Sequence, residues 1–391
     1  MFILQVLISV SFVLLQGFFI YRLYQIHIKE SSKGLSKKLG YAFLLIVLTG
    51  FVFTVISVTL FYYSLQPWVK AYSLKLLLYF IISAGVGLSL IAIYSLKTWL
   101  KPVNRSNKEN QPNQSKRKFL AKAFLTSIVI GTPITYSLYN EKENIELVQF
   151  PLAFKELPPA FHGYRIVQLS DIHSSYSIRE DYLNRVIQEV NQLNPDLLVL
   201  TGDYLTGKQD KKYFPELLRA LSRLDKGMKK YAILGNHDFW TDASFVEKGL
   251  KEANIRVLRN EHCLIRQGDD FFYLAGVDDL SVRKTDIEKA SQNMPLDAFT
   301  ILLSHHPDFI PTAADYRFNL MLSGHTHGGQ IQMPLIGPII VPSRFGRKYA
   351  QGLHKVKNTY LYVNRGIGVI SPPIRFLCRP EITEITLIKE V

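Results

Sequence analysis

Residues 39–69 contain no Asp, Glu, Lys or Arg, an uncharged run of thirty-one. That exceeds the roughly 20 residues a helix needs to cross a hydrocarbon core. Two further blocks, 2–21 and 76–96, are equally free of charge. A soluble fold would have to bury three such helices on every side, so membrane spans are expected at about 2–21, 41–65 and 76–96. No basic segment precedes the first, which sets it apart from a cleaved signal peptide. A fourth segment, 123–140, is shorter and holds Pro133 with several Ser and Thr. It reads as a span or as an interfacial anchor.

The formal charge of +14 sits almost wholly in this half. Residues 1–140 carry fifteen Lys/Arg against two Glu, whereas residues 141–391 carry thirty-one basic and thirty acidic residues. The second half therefore lacks the positive excess of a phosphate-backbone binder, and no nucleic-acid partner is expected. Five Lys/Arg lie in 22–40 and eight in 97–122, against two in 70–75. By the positive-inside rule the first and third loops are cytoplasmic. Four spans then place the second half outside the membrane, and three place it inside. The two cysteines, Cys263 and Cys378, exclude a disulfide framework.

Residues 141–160 read as a Pro-containing linker, and residues 161–391 as an α/β domain in which short apolar strands alternate with helix-compatible stretches. Strands are expected at 165–169, 196–200, 230–234, 256–258, 262–266, 271–277, 299–303 and 320–322. Helices are expected at 178–192, 214–224 and 245–253.

Five of these strands run out into metal-ligating residue types. The clusters are Asp171 and His173; Asp203; Asn236, His237 and Asp238; His305 and His306; and His325 and His327. Open α/β sheets place their sites at that edge, and alternate residues of an extended chain share a face. One Asp or His at a strand end is an ordinary turn residue; five clusters in one chain exceed what packing explains. Carboxylate, amide and imidazole donors without cysteine suit divalent Mn, Fe, Co, Ni or Zn. The set is large enough for two ions. A pair about 3.5–4 Å apart can bind a phosphoryl group and activate a hydroxide for in-line displacement.

Asp171-x-His173, Gly202-Asp203, Gly235-Asn236-His237-Asp238, His305 and Gly324-His325-x-His327 stand in the order of the calcineurin-like metallophosphoesterase motifs. The chain resembles that family over about 160–391. The run GHTHGGQ at 324–330, with YVNRG at 362–366 and PEI at 380–382, is similar to the bacterial branch of membrane-associated phosphodiesterases and UDP-2,3-diacylglucosamine hydrolase-type enzymes. The resemblance implies two packed mixed β-sheets flanked by helices. It implies that Asp171, His173 and His327 hold one ion, that Asn236, His305 and His325 hold the other, and that Asp203 bridges them. It also implies a catalytic pair, His237 with Asp238, acting on the phosphoryl group or its leaving oxygen, with His306 outside the ligand set.

The function expected is that of an integral membrane phosphohydrolase of a bacterial inner membrane, its catalytic domain extracytoplasmic. It would cleave a phosphodiester or pyrophosphate bond, with lipids and lipid-linked nucleotides as candidate substrates. A nuclease or phosphomonoesterase of the same fold is the alternative within enzymes, and a non-catalytic metal-binding scaffold the alternative outside them. Apolar stretches at 334–342 and 374–377 either face a lipid substrate or complete the core. Arg365 could stand near a phosphate, but an Arg after a strand is more often a surface ion-pair partner, while Asp278 and Asp279 read equally as residues supporting the site or as turn residues.

Overall fold

A computed structural model describes residues 141–371 and 373–390. The expected membrane segments lie outside these residues, and among the described residues no helix is long and apolar enough to cross a membrane.

The described chain runs through β1 (Glu146–Phe154), β2 (Arg165–Leu169), α1 (Glu180–Leu193), β3 (Leu197–Leu200), α2 (Phe214–Leu221) and β4 (Lys229–Ala232). It continues through α3 (Asn236–Thr241), α4 (Ala243–Glu252), β5 (Arg256–Val257), β6 (Glu261–Gln267), β7 (Asp270–Gly276), β8 (Thr300–Leu303) and β9 (Leu320–Ser323). The last strands are β10 (Gln332–Met333), β11 (Gly337–Pro338), β12 (Gly352–Val356), β13 (Thr359–Val363) and β14 (Glu381–Lys389). Two six-stranded sheets result, ordered β1-β14-β2-β3-β4-β5 and β12-β13-β9-β8-β7-β6. Both are mixed: β2 through β5 pair in parallel and β14 runs antiparallel to β2. In the second sheet β7, β8, β9 and β13 are parallel between antiparallel edges.

Strand alternation explains the layers. Ile166, Leu197 and Val199 point into a core shared with Phe272, Leu274, Ile301, Leu303, Leu320 and Leu322 of the other sheet. Their neighbours Val167, Leu198 and Leu200 point the opposite way, against helix residues such as Val186, Ile187 and Leu217. On the outer face of the second sheet, Leu302, Met321 and Leu361 pack on Ile310 and Ala313. Strands covered on both faces must be apolar at every position, which is why β3 and β8 are uniformly buried. Helix α1 buries Tyr182, Leu183, Val186, Ile187 and Val190, a 3.6-residue spacing, and stops where Asn194 turns left-handed at φ 45°.

The expected linker at 141–160 instead contains a nine-residue strand, β1. All nine residues of β1 pair in parallel with β14, so the domain begins before residue 161. Pro151 hid this strand in the sequence. An edge strand tolerates a proline because one of its sides needs no ladder hydrogen bonds, and β1 is at the edge of its sheet.

Candidate metal centre

The loops after β2, β3, β4, β8 and β9 converge at one end of the two sheets. Their backbone is unusual there. Asp171, His173, Asp203, His325 and His327 all take positive φ, between 46° and 69°. Non-glycine residues in that region cost free energy and persist where the surrounding structure fixes them, commonly at functional sites. Glycines make the approach possible. A Cβ on Gly324 would lie 1.9 Å from Ser170 Oγ and 2.1 Å from Asp171 Oδ2, and one on Gly235 would lie 2.3 Å from Asp203 Oδ1.

The side chains gather into overlapping groups. Asp171, His173 and His327 bring one donor atom each within 4.8 Å of one another, as do Asp203, His305 and His325, and also His173, Asp203 and His237. Asp203 lies between the first two groups: its Oδ2 is 3.1 Å from His305 Nε2 and 3.6 Å from His173 Nε2. Asn236 is buried and its Oδ1 lies 3.0 Å from His325 Nδ1. Every residue expected to ligate metal therefore reaches this one centre.

These residues fit divalent ions on chemical grounds. The carbonyl of Thr201, which can only accept, fixes the His305 tautomer through Nδ1–H at 2.7 Å and leaves Nε2 facing Asp203. That buried Nε2 makes no hydrogen bond, and neither does His327 Nδ1. His173 and His327 turn their Nε2 atoms toward each other at 3.1 Å. The ion pairs of the buried carboxylates Asp171 and Asp203 are with histidines. Two buried carboxylates whose ion partners are imidazoles, with ring nitrogens left unpaired beside them, present the mixed oxygen and nitrogen donor set that suits divalent cations.

Electrostatics follow from burial. It pushes the Asp171 carboxyl up to about 6, although His305 opposes the shift. It drives His173 down to about 3 and holds His325 and His327 well below the ordinary imidazole range, with neighbouring imidazoles adding to the effect. Burial alone would raise Asp203 and lower His305, but their mutual attraction prevails, so Asp203 falls and His305 rises.

The expected pairing of His237 with Asp238 is not formed. His237 donates Nδ1–H to the Thr206 carbonyl at 2.7 Å, and its half-buried ring stands 4.9 Å from the ring of His173 and 4.6 Å from that of Trp240. Asp238 turns away into the protein. Its carboxylate accepts the backbone N–H groups of Asp203 (2.8 Å), Tyr204 (2.9 Å) and Gly235 (2.9 Å). Asp238 follows Gly235 by three residues, the position from which a carboxylate reaches back over a helix start, and α3 begins there. Burial and the Asp203 charge push this carboxyl up to about 8, while the three N–H groups pull it down.

A sequence profile of the Calcineurin-like phosphoesterase family matches residues 164–329, the span that holds all five motif loops. The chain is 38% identical over 280 residues to the uncharacterized metallophosphoesterase YkuE of Bacillus subtilis, covering 70% of this chain and 97% of that one. It belongs to the calcineurin-like metallophosphoesterases. The phosphodiesterase YaeI of Escherichia coli is 32% identical over 278 residues, covering 70% of this chain and 99% of its own. A Danio rerio protein named transmembrane protein with metallophosphoesterase domain is 31% identical over 304 residues, or 73% and 68% of the two chains. Metallophosphoesterases are hydrolases that use two divalent metal ions, and the clustered Asp and His residues described above suit them.

Other candidates resolve differently. Arg365 pairs with Glu381 and with Glu146 at 3.1 Å, the ion-pair role, and Asp278 forms a two-pronged pair with Arg259. Asp279 accepts from Ser281 in a turn. The ring of His306 lies tilted against that of His325, with centroids 3.9 Å apart. The sequence did not point to Thr206, whose hydroxyl lies 3.2 Å from His173 Nδ1, or to Arg375. The fully buried guanidinium of Arg375 binds the carbonyls of Arg365, Gly366, Gly368 and Cys378. A threonine and an arginine in loops carry no periodic or spacing signal.

Proposed function

We propose that this chain is a membrane-anchored phosphohydrolase that cleaves a phosphodiester or pyrophosphate bond, with lipid or lipid-linked molecules as its substrate class. In this reading Asp171, His173 and His327 would hold one divalent ion, and Asn236, His305 and His325 the other, with Asp203 serving both. The observation that carries the assignment is the position of Asp203 Oδ2 between His173 Nε2 and His305 Nε2, one from each group. When bound, the two ions supply an activated water and neutralise phosphoryl charge.

The chain's own residues do the rest. Thr201 and Thr206 orient His305 and His173 from behind. His237, with Nδ1–H committed to Thr206, presents Nε2 to the substrate phosphoryl, where it stabilises developing charge or delivers a proton to the leaving oxygen. Asp238 acts through position only, fixing the backbone of Asp203. The membrane domain is 1–140, and four spans place the site outside the membrane. The near-neutral charge of 141–391 weighs against a nuclease.

Two measurements test this. Asp203→Asn should abolish hydrolysis of bis-p-nitrophenyl phosphate and reduce the content of both metals; activity retained with two bound ions would refute the bridging role. Reporter fusions after Tyr94, Glu143 and Val391 should show the last two outside the membrane. A cytoplasmic Val391 fusion would refute the four-span placement.

A further inference from the structure

The loop that carries His325 and His327 leads directly into a small hairpin, β10 with β11. Eight residues, 333–340, expose five large apolar side chains. Leu335 is 108% exposed, Ile336, Ile339 and Ile340 are more than half exposed, and Met333 is 41% exposed. Single exposed apolar residues are ordinary, but a contiguous group marks a contact surface. Cations flank it: Arg344, Arg347 and Lys348 are exposed, and Arg347 Nη1 donates to the Ile336 carbonyl at 3.1 Å.

The hairpin is fixed to two other parts of the domain. Toward the metal centre, a Cβ on Gly329 would lie 2.5 Å from Pro338 Cβ and 2.8 Å from the Ile340 carbonyl, so the hairpin packs on the motif backbone. On its other side, Phe376 N–H donates to Gln330 O and Gln332 N–H donates to Phe376 O, both at 2.9 Å. Two residues further on, Cys378 N–H donates to Glu141 Oε1 at 2.7 Å. Leu377, between them, is half exposed. Two residues span at most about 7 Å. Glu141 directly follows residue 140, where the last candidate membrane segment ends. If the chain leaves the bilayer at 140, the base of this hairpin is tied to the residue that follows the membrane exit.

We propose that the 333–340 hairpin inserts its apolar tip into the interfacial layer of the membrane that anchors the chain. Arg344, Arg347 and Lys348 meet anionic headgroups there. The hairpin then serves as a fixed spacer that holds the His325–His327 loop at the depth of lipid phosphoesters. This rests on the membrane-anchored reading above and deepens it, because it explains how a water-facing metal centre reaches a lipid-borne bond.

The test uses the full chain with Leu335→Cys, labelled with an environment-sensitive fluorophore and reconstituted into vesicles of phosphatidylcholine and phosphatidylglycerol. Cys263 and Cys378 are buried, and the unsubstituted chain controls for their labelling. A second label at Leu296→Cys, 79% exposed in another loop, is the reference. Nitroxides on the lipid acyl chains should quench the 335 label at a depth of about 5–10 Å and leave the 296 label unquenched. Equal quenching at the two positions would overturn the proposal. So would a blue-shifted but unquenched 335 label, because a second copy or a protein partner would then cover the tip. The readout needs neither metal nor turnover, so loss of hydrolysis leaves it standing. A chain that fails to float with vesicles refutes anchoring and insertion together.

Discussion

Asp238→Asn tests whether the buried carboxylate after His237 works through structure rather than chemistry. The wild-type group accepts three backbone N–H bonds at 2.8–2.9 Å and is fully buried. An asparagine keeps one acceptor oxygen. Its amide oxygen can serve Asp203 N and Gly235 N together, but the NH2 group then points at Tyr204 N–H, donor against donor. The hydrogen bond from Tyr204 N–H to a charged acceptor is lost and that buried donor is left unpaired, one loss of about 1–3 kcal/mol. At about 2–4 °C per kcal/mol for a domain of this size, the melting temperature should fall by roughly 5 °C. Thermal unfolding at pH 8.5, above the value to which burial and Asp203 raise this carboxyl, is the assay. Metal content should fall as well, because the Asp203 backbone loses its anchor. A melting temperature within about 2 °C of wild type, with full metal content, would refute the reasoning.

His237→Ala should retain two ions per chain and lose roughly 10²-fold in hydrolysis rate, as removal of an acid or charge stabiliser does; loss of an ion by elemental analysis would make His237 a ligand instead. Gly324→Ala sets a methyl group 1.9 Å from Ser170 Oγ and 2.1 Å from Asp171 Oδ2. It should displace Asp171 and lower metal content, and a fully loaded, active Gly324→Ala protein would show that this loop is not as tightly seated as described.

Much of this was legible because burial and metal binding each leave a residue-type signal. Strand β2 occupies the five residues expected of it, and β3, β8 and β9 fall within a residue of expectation. Strands covered on both faces are apolar throughout, and their ends are marked by Asp, Asn and His. Where those signals are absent, sequence reading fell short. Strand β1 alternates exposed and partly covered residues around Pro151, the profile of a connector as much as of an edge strand. Strand β4 is mostly polar and ends at Ala232, two residues before its expected limit.

By itself the sequence determined the membrane-length runs of the first 140 residues, the α/β character of the rest and the set of side chains that reach the metal centre. These depend on composition and on order along the chain, and the energetic penalty for a charge in lipid or an unpaired carboxylate in a core is large wherever it falls. Only the tertiary structure decided the roles that depend on direction. His237 and Asp238 are adjacent in sequence, yet one faces Thr206 and the site while the other turns inward to backbone amides, because both lie in the first turn of α3 and successive side chains diverge around a helix. The exposure of 333–340 was equally undecided: an apolar stretch can fill a core or leave it, and the packing of Pro338 on Gly329 sets this one outside.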